Sequence, residues 1–179
     1  MSRSIWLAAG AKISDCAQLF DPIIMTKAEH IVIEGYARID SFVKLEGGRG
    51  LRIGRYVHIA SFSHIGVGGG ETIIGDYAAV ASGGKIISGM NSPDFPSLSP
   101  CASDVLQQAR TFRTVLEPYA CVFTNAVVLP GVTLHEGAVL GAGSVALRSI
   151  PEWEVWFGNP ARFASKRDKA RTIAEVVLV

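Results

Sequence analysis

Ile53-Gly-Arg-Tyr-Val-His-Ile59-Ala-Ser-Phe-Ser-His-Ile65 places an isoleucine at every sixth residue. The beat extends outward from there in both directions. Upstream it passes through Ile13, Leu19 and Met25, then Ile33, Ile39 and Leu45. Downstream it takes Ile74, Val80 and Ile86, then Leu116, Val122 and Val128, then Leu134, Leu140 and Ala146. A small or compact residue usually follows four places later, as in Ala37, Val57, Ser63, Ala78, Ala120, Ala126 and Ala138. A six-residue period matches neither the helical repeat of about 3.6 nor simple strand alternation. It fits an all-β solenoid in which three short strands make one triangular coil of a parallel β-helix, about six coils in all. The aliphatic residue points into the prism and the small one turns the corner.

Departures from the beat are confined to one place in each coil. Met25 to Ile33 and Leu45 to Ile53 gain two residues, Ile65 to Ile74 gains three, and Ile86 to Leu116 gains twenty-four. Each falls after the third strand, so every insertion leaves the prism at the same corner. Two are glycine-rich, Glu46-Gly-Gly-Arg-Gly50 and Gly66-Val-Gly-Gly-Gly70, as suits tight excursions with positive φ. The long loop, 88–114, carries Pro93, Pro96 and Pro100, and its 102–110 stretch has the composition of a helical turn or two. A long excursion on one edge of a repeat fold is where binding concentrates.

The 179 residues suit one domain with an ample core, and a net charge of +1 gives no reason to expect a nucleic-acid partner. The apolar stretch at the start is too short for a signal-peptide core, and no run reaches membrane-spanning length. Cys16, Cys101 and Cys121 form no CxxC pair, which speaks against a disulfide framework or zinc knot. A cytoplasmic protein is the expectation. The beat stops at Ile150, so 1–150 is read as the prism and 151–179 as a closing segment. Its 161–178 stretch has helical composition, predicting a short C-terminal helix packed on the prism.

The stretch Val128-Leu-Pro-Gly-Val-Thr-Leu-His-Glu-Gly-Ala-Val-Leu-Gly-Ala-Gly-Ser-Val145, followed by Gly158-Asn-Pro-Ala-Arg162, resembles the final coils of the hexapeptide-repeat acyltransferases, in the branch of maltose, galactoside and lipopolysaccharide O-acetyltransferases. Tyr56-Val-His-Ile-Ala-Ser-Phe-Ser-His-Ile65 is similar to sugar acetyltransferases of polysaccharide gene clusters. The resemblance covers roughly residues 30–165. It implies a left-handed β-helix, acetyl-CoA as co-substrate with no metal, and a homotrimer with active sites between subunits. It also implies that the pantetheine arm runs along the late coils, near Thr124, the Gly141-Ala142 step and Leu147, where small residues expose the backbone. Arg162, Lys166 and Arg167 are the cations nearest for the phosphates of CoA. Where the branch often has a tryptophan, this chain has Cys121.

Acetyl transfer to an alcohol calls for a proton acceptor, and imidazole suits it at neutral pH. Of four histidines, His30 and His135 read as surface residues. His58 and His64 each precede an inward aliphatic, so both project outward. The register stacks Lys44, His64 and Lys85 in one column on the third side, and Arg38, His58 and Ala79 in another on the second. The third side feeds into the glycine corners, which makes His64 the first candidate base and His58 the second. Lysines above and below would favour the neutral imidazole. In the maltose and galactoside enzymes the catalytic histidine lies five residues past the last inward aliphatic before the long loop. That position here is Asn91, an amide that cannot act as a base, so His64, His58 or Asp94 takes the role, or the nucleophile needs no strong base. Asn91, Asp94, Lys85, Ser61 and Ser63 are the candidate acceptor-binding residues. The leading expectation is O-acetylation of a sugar hydroxyl in a polysaccharide, lipopolysaccharide or glycolipid precursor. The alternative is N-acetylation of an amino-sugar nucleotide, whose amine needs less help from a base. A zinc enzyme would need three converging histidines, and a non-catalytic trimeric scaffold would have no use for the lysine–histidine column.

Overall fold

The computed structural model describes residues 2–169. Three sheets form the sides of a triangular prism, and each takes one parallel strand from every coil. One coil illustrates the rest: Gly50–Ile53 on the first face, His58–Ile59 on the second and His64–Val67 on the third. Ile53, Ile59 and Ile65 point inward and are fully buried. Each strand pairs in register with the strands one coil below and above, as His64 does with Lys44 and Lys85. The inward aliphatic residues stack into one continuous apolar core. Burial of such side chains, worth about 1.5–3 kcal/mol each, is the main stabilising contribution.

After six complete coils, Ile150 bridges to Leu134, and the strand Glu154–Gly158 extends the second face. The solenoid therefore makes about seven turns rather than six, with an architecture consistent with the left-handed β-helix. At its other end the helix Ser2–Ala8 lies over the first coil. Arg3 there donates to the carbonyls of Ile13, Ser14 and Ala17 at 3.2, 2.7 and 3.3 Å, which occupies backbone acceptors that have no coil beneath them. Among the described residues no helix is long and apolar enough to cross a membrane.

One expectation is corrected and a second is narrowed. Ala161–Lys166 is a strand, antiparallel to Glu154–Gly158, and not the start of a helix. Glu154–Gly158 uses one edge on the coil beneath and would leave the other edge open. Folding the chain back over that edge pairs its backbone groups, and this outweighs local helical composition. The rest of the expected helix, 170–179, lies outside the described residues. In the long loop, Gly89–Asn91 pairs with Ala109–Thr111 as an antiparallel hairpin stem. Of the helical turn or two expected in 102–110 there is a single turn, in which the Ser103 carbonyl accepts from Leu106 N–H at 2.8 Å and from Gln107 N–H at 3.2 Å.

All insertions emerge at the corner between the third and first faces, as the spacing predicts. There the coils stack backbone on backbone. A Cβ added to Gly68 (φ +86°) would lie 2.1 Å from the Gly89 carbonyl oxygen, whereas one on Gly69 (φ +76°) would meet nothing within 4 Å. Both positions carry the left-handed backbone penalty, so they differ only in space. Gly68→Ala is expected to lose about 1–3 kcal/mol more stability than Gly69→Ala, measured by urea denaturation. Equal losses would show that these insertions are not closely stacked.

Candidate active site

Because Leu45 points inward, Lys44 and Glu46 both project from the third face, and His64 stands one coil above them. His64 Nε2 lies 2.7 Å from Glu46 Oε1, and Lys44 Nζ lies 2.9 Å from the same oxygen. Burial pushes the Glu46 carboxyl up, but hydrogen bonds from Lys44 and His64 outweigh it and hold the group below its ordinary range. An ionised carboxylate has no proton to offer, so Nε2 is the donor. In the neutral ring Nδ1 then carries the free lone pair. The side chain of His64 is 27% exposed, so a substrate can reach it.

The column of lysines is present, but its electrostatics differ from expectation. Lys44 is neutralised by Glu46, and Lys85 Nζ turns to the Gly83 carbonyl at 3.1 Å. The group facing the imidazole is an acid. Strand alternation alone places Glu46 on the same outward side as Lys44; the glycine-rich corner that begins at this residue obscured it.

The second face repeats the arrangement six residues earlier. Arg38 Nε lies 2.7 Å from Asp40 Oδ1, and His58 Nε2 lies 2.9 Å from Asp40 Oδ2. Burial raises the Asp40 carboxyl less than its hydrogen bonds to Arg38 and His58 lower it, so it too sits below the ordinary range. The two histidines are not brought together. They flank a corner where Phe42 and Phe62 stack at 5.2 Å and stand exposed. Ser61 at that corner is half-buried, and its carbonyl accepts from Gly83 N–H at 3.0 Å. Ser63 is buried and donates to the Ala81 carbonyl at 3.1 Å, so its hydroxyl braces the corner and does not face substrate. His135 pairs with Glu117 at 3.2 Å on the first face, and His30 Nδ1 donates to the Gly48 carbonyl at 2.8 Å.

In the long loop Asn91 donates Nδ2 to the Leu98 carbonyl at 2.6 Å. Asp94 accepts from Ser92 Oγ at 3.2 Å and pairs with Arg110. Both residues brace the loop; Asp94 remains exposed to solvent. Arg110, which the sequence reading did not single out, fixes the returning limb of the hairpin.

Toward the last coils the outward columns lose their charge. Above His58 stand Ala79, Cys121 and Val139; above Lys85 stand Val127 and Val145. Ala142, Gly143, Thr124 and Leu147 are exposed at and near the edges of this apolar half. Gly141 is not: Phe157 covers it so closely that a Cβ would lie 2.0 Å from the ring. The backbone left open at this step is that of Ala142 and Gly143. Arg162 and Lys166 are exposed on the strand Ala161–Lys166. Burial pushes the Cys121 thiol up, which disfavours the thiolate a nucleophile needs. Among the described residues no three metal-ligating side chains converge.

No family model matches the chain. It is 32% identical over 161 residues to the dTDP-4-amino-4,6-dideoxy-D-glucose acyltransferase of Escherichia coli, covering 88% of this chain and 80% of that one. A shorter match, 42% over 50 residues, links it to the dTDP-3-amino-3,6-dideoxy-alpha-D-galactopyranose 3-N-acetyltransferase of Aneurinibacillus thermoaerophilus, covering 28% and 26% of the two chains. Among solved structures, AntD, an N-acyltransferase from Bacillus cereus in complex with dTDP and 3-hydroxybutyryl-CoA, superposes with a TM-score of 0.88 at 22% identity, over 99% of this chain and 95% of that one. At that identity the likeness is one of fold. The match to the Escherichia coli enzyme runs through nearly the whole solenoid, and by it the chain belongs to the hexapeptide-repeat acyltransferase family, close to the sugar N-acyltransferases of dTDP-linked amino sugars.

Proposed function

We propose that the protein transfers an acyl group from acyl-CoA to the amino group of a dTDP-linked amino sugar. The observation that carries this reading is the 32% identity to an acyltransferase of that substrate class over four-fifths of its length. It moves the conclusion from sugar O-acetylation, the leading expectation, to the N-acetylation held as its alternative. The chain's own residues agree with an amine acceptor. Asn91 stands where the O-acetyltransferase branch has its base, and it is committed to Leu98. An amine already has a nucleophilic lone pair once its ammonium proton is gone, so it needs less from the protein than an alcohol does.

In the proposed reaction the amine attacks the thioester carbonyl, the C–N bond forms, and the C–S bond breaks to release CoA. His64 takes the proton from nitrogen at Nδ1, held in that tautomer by Glu46, with Lys44 keeping Glu46 ionised. His58, with Asp40 and Arg38, is the second candidate on the neighbouring face. Transfer is direct, with no acyl-enzyme. The uncharged upper coils suit the pantetheine arm, against Ala142, Gly143, Thr124 and Leu147, with Arg162 and Lys166 for the phosphates. Lys85, one coil above His64, and Asp94 in the long loop border the acceptor. The working assembly in this reading is a homotrimer with the site between subunits, an arrangement that the exposed Phe42–Phe62 stack would help to bury.

Free thiol release from acetyl-CoA, followed with dTDP-4-amino-4,6-dideoxyglucose and with dTDP-glucose, tests the acceptor. Release with the amino sugar alone is expected; comparable release with dTDP-glucose overturns the reading. In the same assay His64→Ala should lower kcat by roughly 100-fold or more, in line with the loss of a positioned base, and His58→Ala by less than about tenfold. The reverse ranking would move the base to the second face.

A further inference from the structure

A groove of about 250 Å³ lies at the root of the long loop, on the far side of the insertion corner from His64. Its walls are Arg49, Glu71, Thr111, Phe112 and Arg113. An adjoining hollow of about 280 Å³ shares Glu71 and adds Arg52 and His30. Arg52 is paired with Glu34 at 2.8 Å, so the unbalanced positive charge belongs to the first groove, where Arg49 and Arg113 share the single carboxylate of Glu71.

The individual groups are poised for an anion. Arg49 spends Nη1 on the neutral hydroxyl of Thr111 at 3.0 Å, a bond that orients its fork without neutralising it. Arg113 meets Glu71 through Nε at 3.2 Å, leaving its two terminal nitrogens for another acceptor. Phe112 sits between them in sequence, packs its ring over Gly131 and leaves more than a third of its surface exposed to the groove. Paired guanidinium forks match phosphate oxygens, and an exposed aromatic ring offers a stacking surface to a planar base. Position adds to the argument. Arg49 is three residues beyond Glu46, the partner of His64, so the groove and the proposed base belong to two sides of one short insertion.

We propose that this groove binds the nucleoside diphosphate of the acceptor, with Arg49 and Arg113 on the phosphates and Phe112 against the base, so that the attached sugar reaches across the corner toward His64. The assignment rests on the nucleotide-sugar reading above. Coenzyme A also carries phosphates, and the test separates the two sources.

Isothermal titration of the full chain with dTDP and, separately, with adenosine 3′,5′-bisphosphate serves as the probe. Arg49→Gln and Arg113→Gln should each weaken dTDP binding roughly 10- to 100-fold, the loss expected for one charge-assisted contact. The bisphosphate should change by less than about threefold. Glu71→Gln removes the competing carboxylate and should leave dTDP binding equal or tighter; a merely structural role for the Arg113–Glu71 pair predicts weaker binding and a lowered Tm instead. Unchanged dTDP binding in both arginine variants overturns the site while leaving the acceptor reading intact. Selective loss of the bisphosphate overturns it in favour of CoA. A wild-type chain that binds no dTDP overturns the acceptor reading and the site together.

Discussion

The constraint on which the rest of the molecule depends is the hydrogen-bonded register between successive coils. The strands are short, many of only two residues, so none forms a stable sheet from its own length. Each backbone donor instead finds its acceptor one coil away: Lys44 N–H on Ser63, His64 N–H on Gly84, Lys85 N–H on Ala126. An extra residue within a face would break this ladder and turn the inward set outward. Insertions are tolerated only at the corner after the third face, where the chain can bulge before the next coil begins. That single permission places the glycine loops, the long hairpin and the positive groove at one edge. It also fixes the columns in which His64 stands over Lys44 and beneath Lys85.

The register has a second consequence at the opposite corners. The residue three places after most inward aliphatics adopts a left-handed backbone, and it is often aromatic. Tyr36, Tyr56, Tyr77 and Tyr119 stack at 4.9–5.1 Å with nearly parallel rings, a ladder continued by Trp153. A left-handed conformation costs a non-glycine residue about 1–2 kcal/mol. Ring stacking, worth about 0.5–1.5 kcal/mol per pair, offsets much of it. The tyrosines recur in the sequence at the right interval. The usual association of positive φ with glycine and asparagine conceals their role.

Much of the scaffold was legible because its signal is periodic. The inward set, the exit corner of every insertion and the outward aim of His58 and His64 follow from counting in sixes. What was not legible depends on contacts between segments of unlike period. Ala161–Lys166 became a strand because an open sheet edge lay beside it, a fact that its own composition cannot contain. In the 102–110 stretch only Ala109 and Arg110 join the hairpin stem, opposite Asn91 and Met90. Gly141 looked accessible until Phe157 closed over it. At the site the column was foreseen and its acid was not: Lys44 and His64 were read as neighbours, while Glu46, two residues from Lys44, is the group that touches both.

The chemistry then follows from a division along the prism. Lower coils present cation–carboxylate–histidine sets on two faces; upper coils present small apolar side chains and exposed backbone. In the proposed reaction a thioester arm lies along the latter and a polar, nucleotide-linked acceptor along the former, with the reacting carbonyl at their boundary, beside His64. In this account His64 and Glu46 act as one unit, the carboxylate holding the tautomer that the imidazole needs. A double-mutant cycle on kcat with His64→Ala and Glu46→Gln tests this most directly. The account predicts that Glu46→Gln slows the wild-type enzyme but costs nothing further once His64 is gone. Losses that simply multiply would contradict it, showing that the two residues do not work through one another.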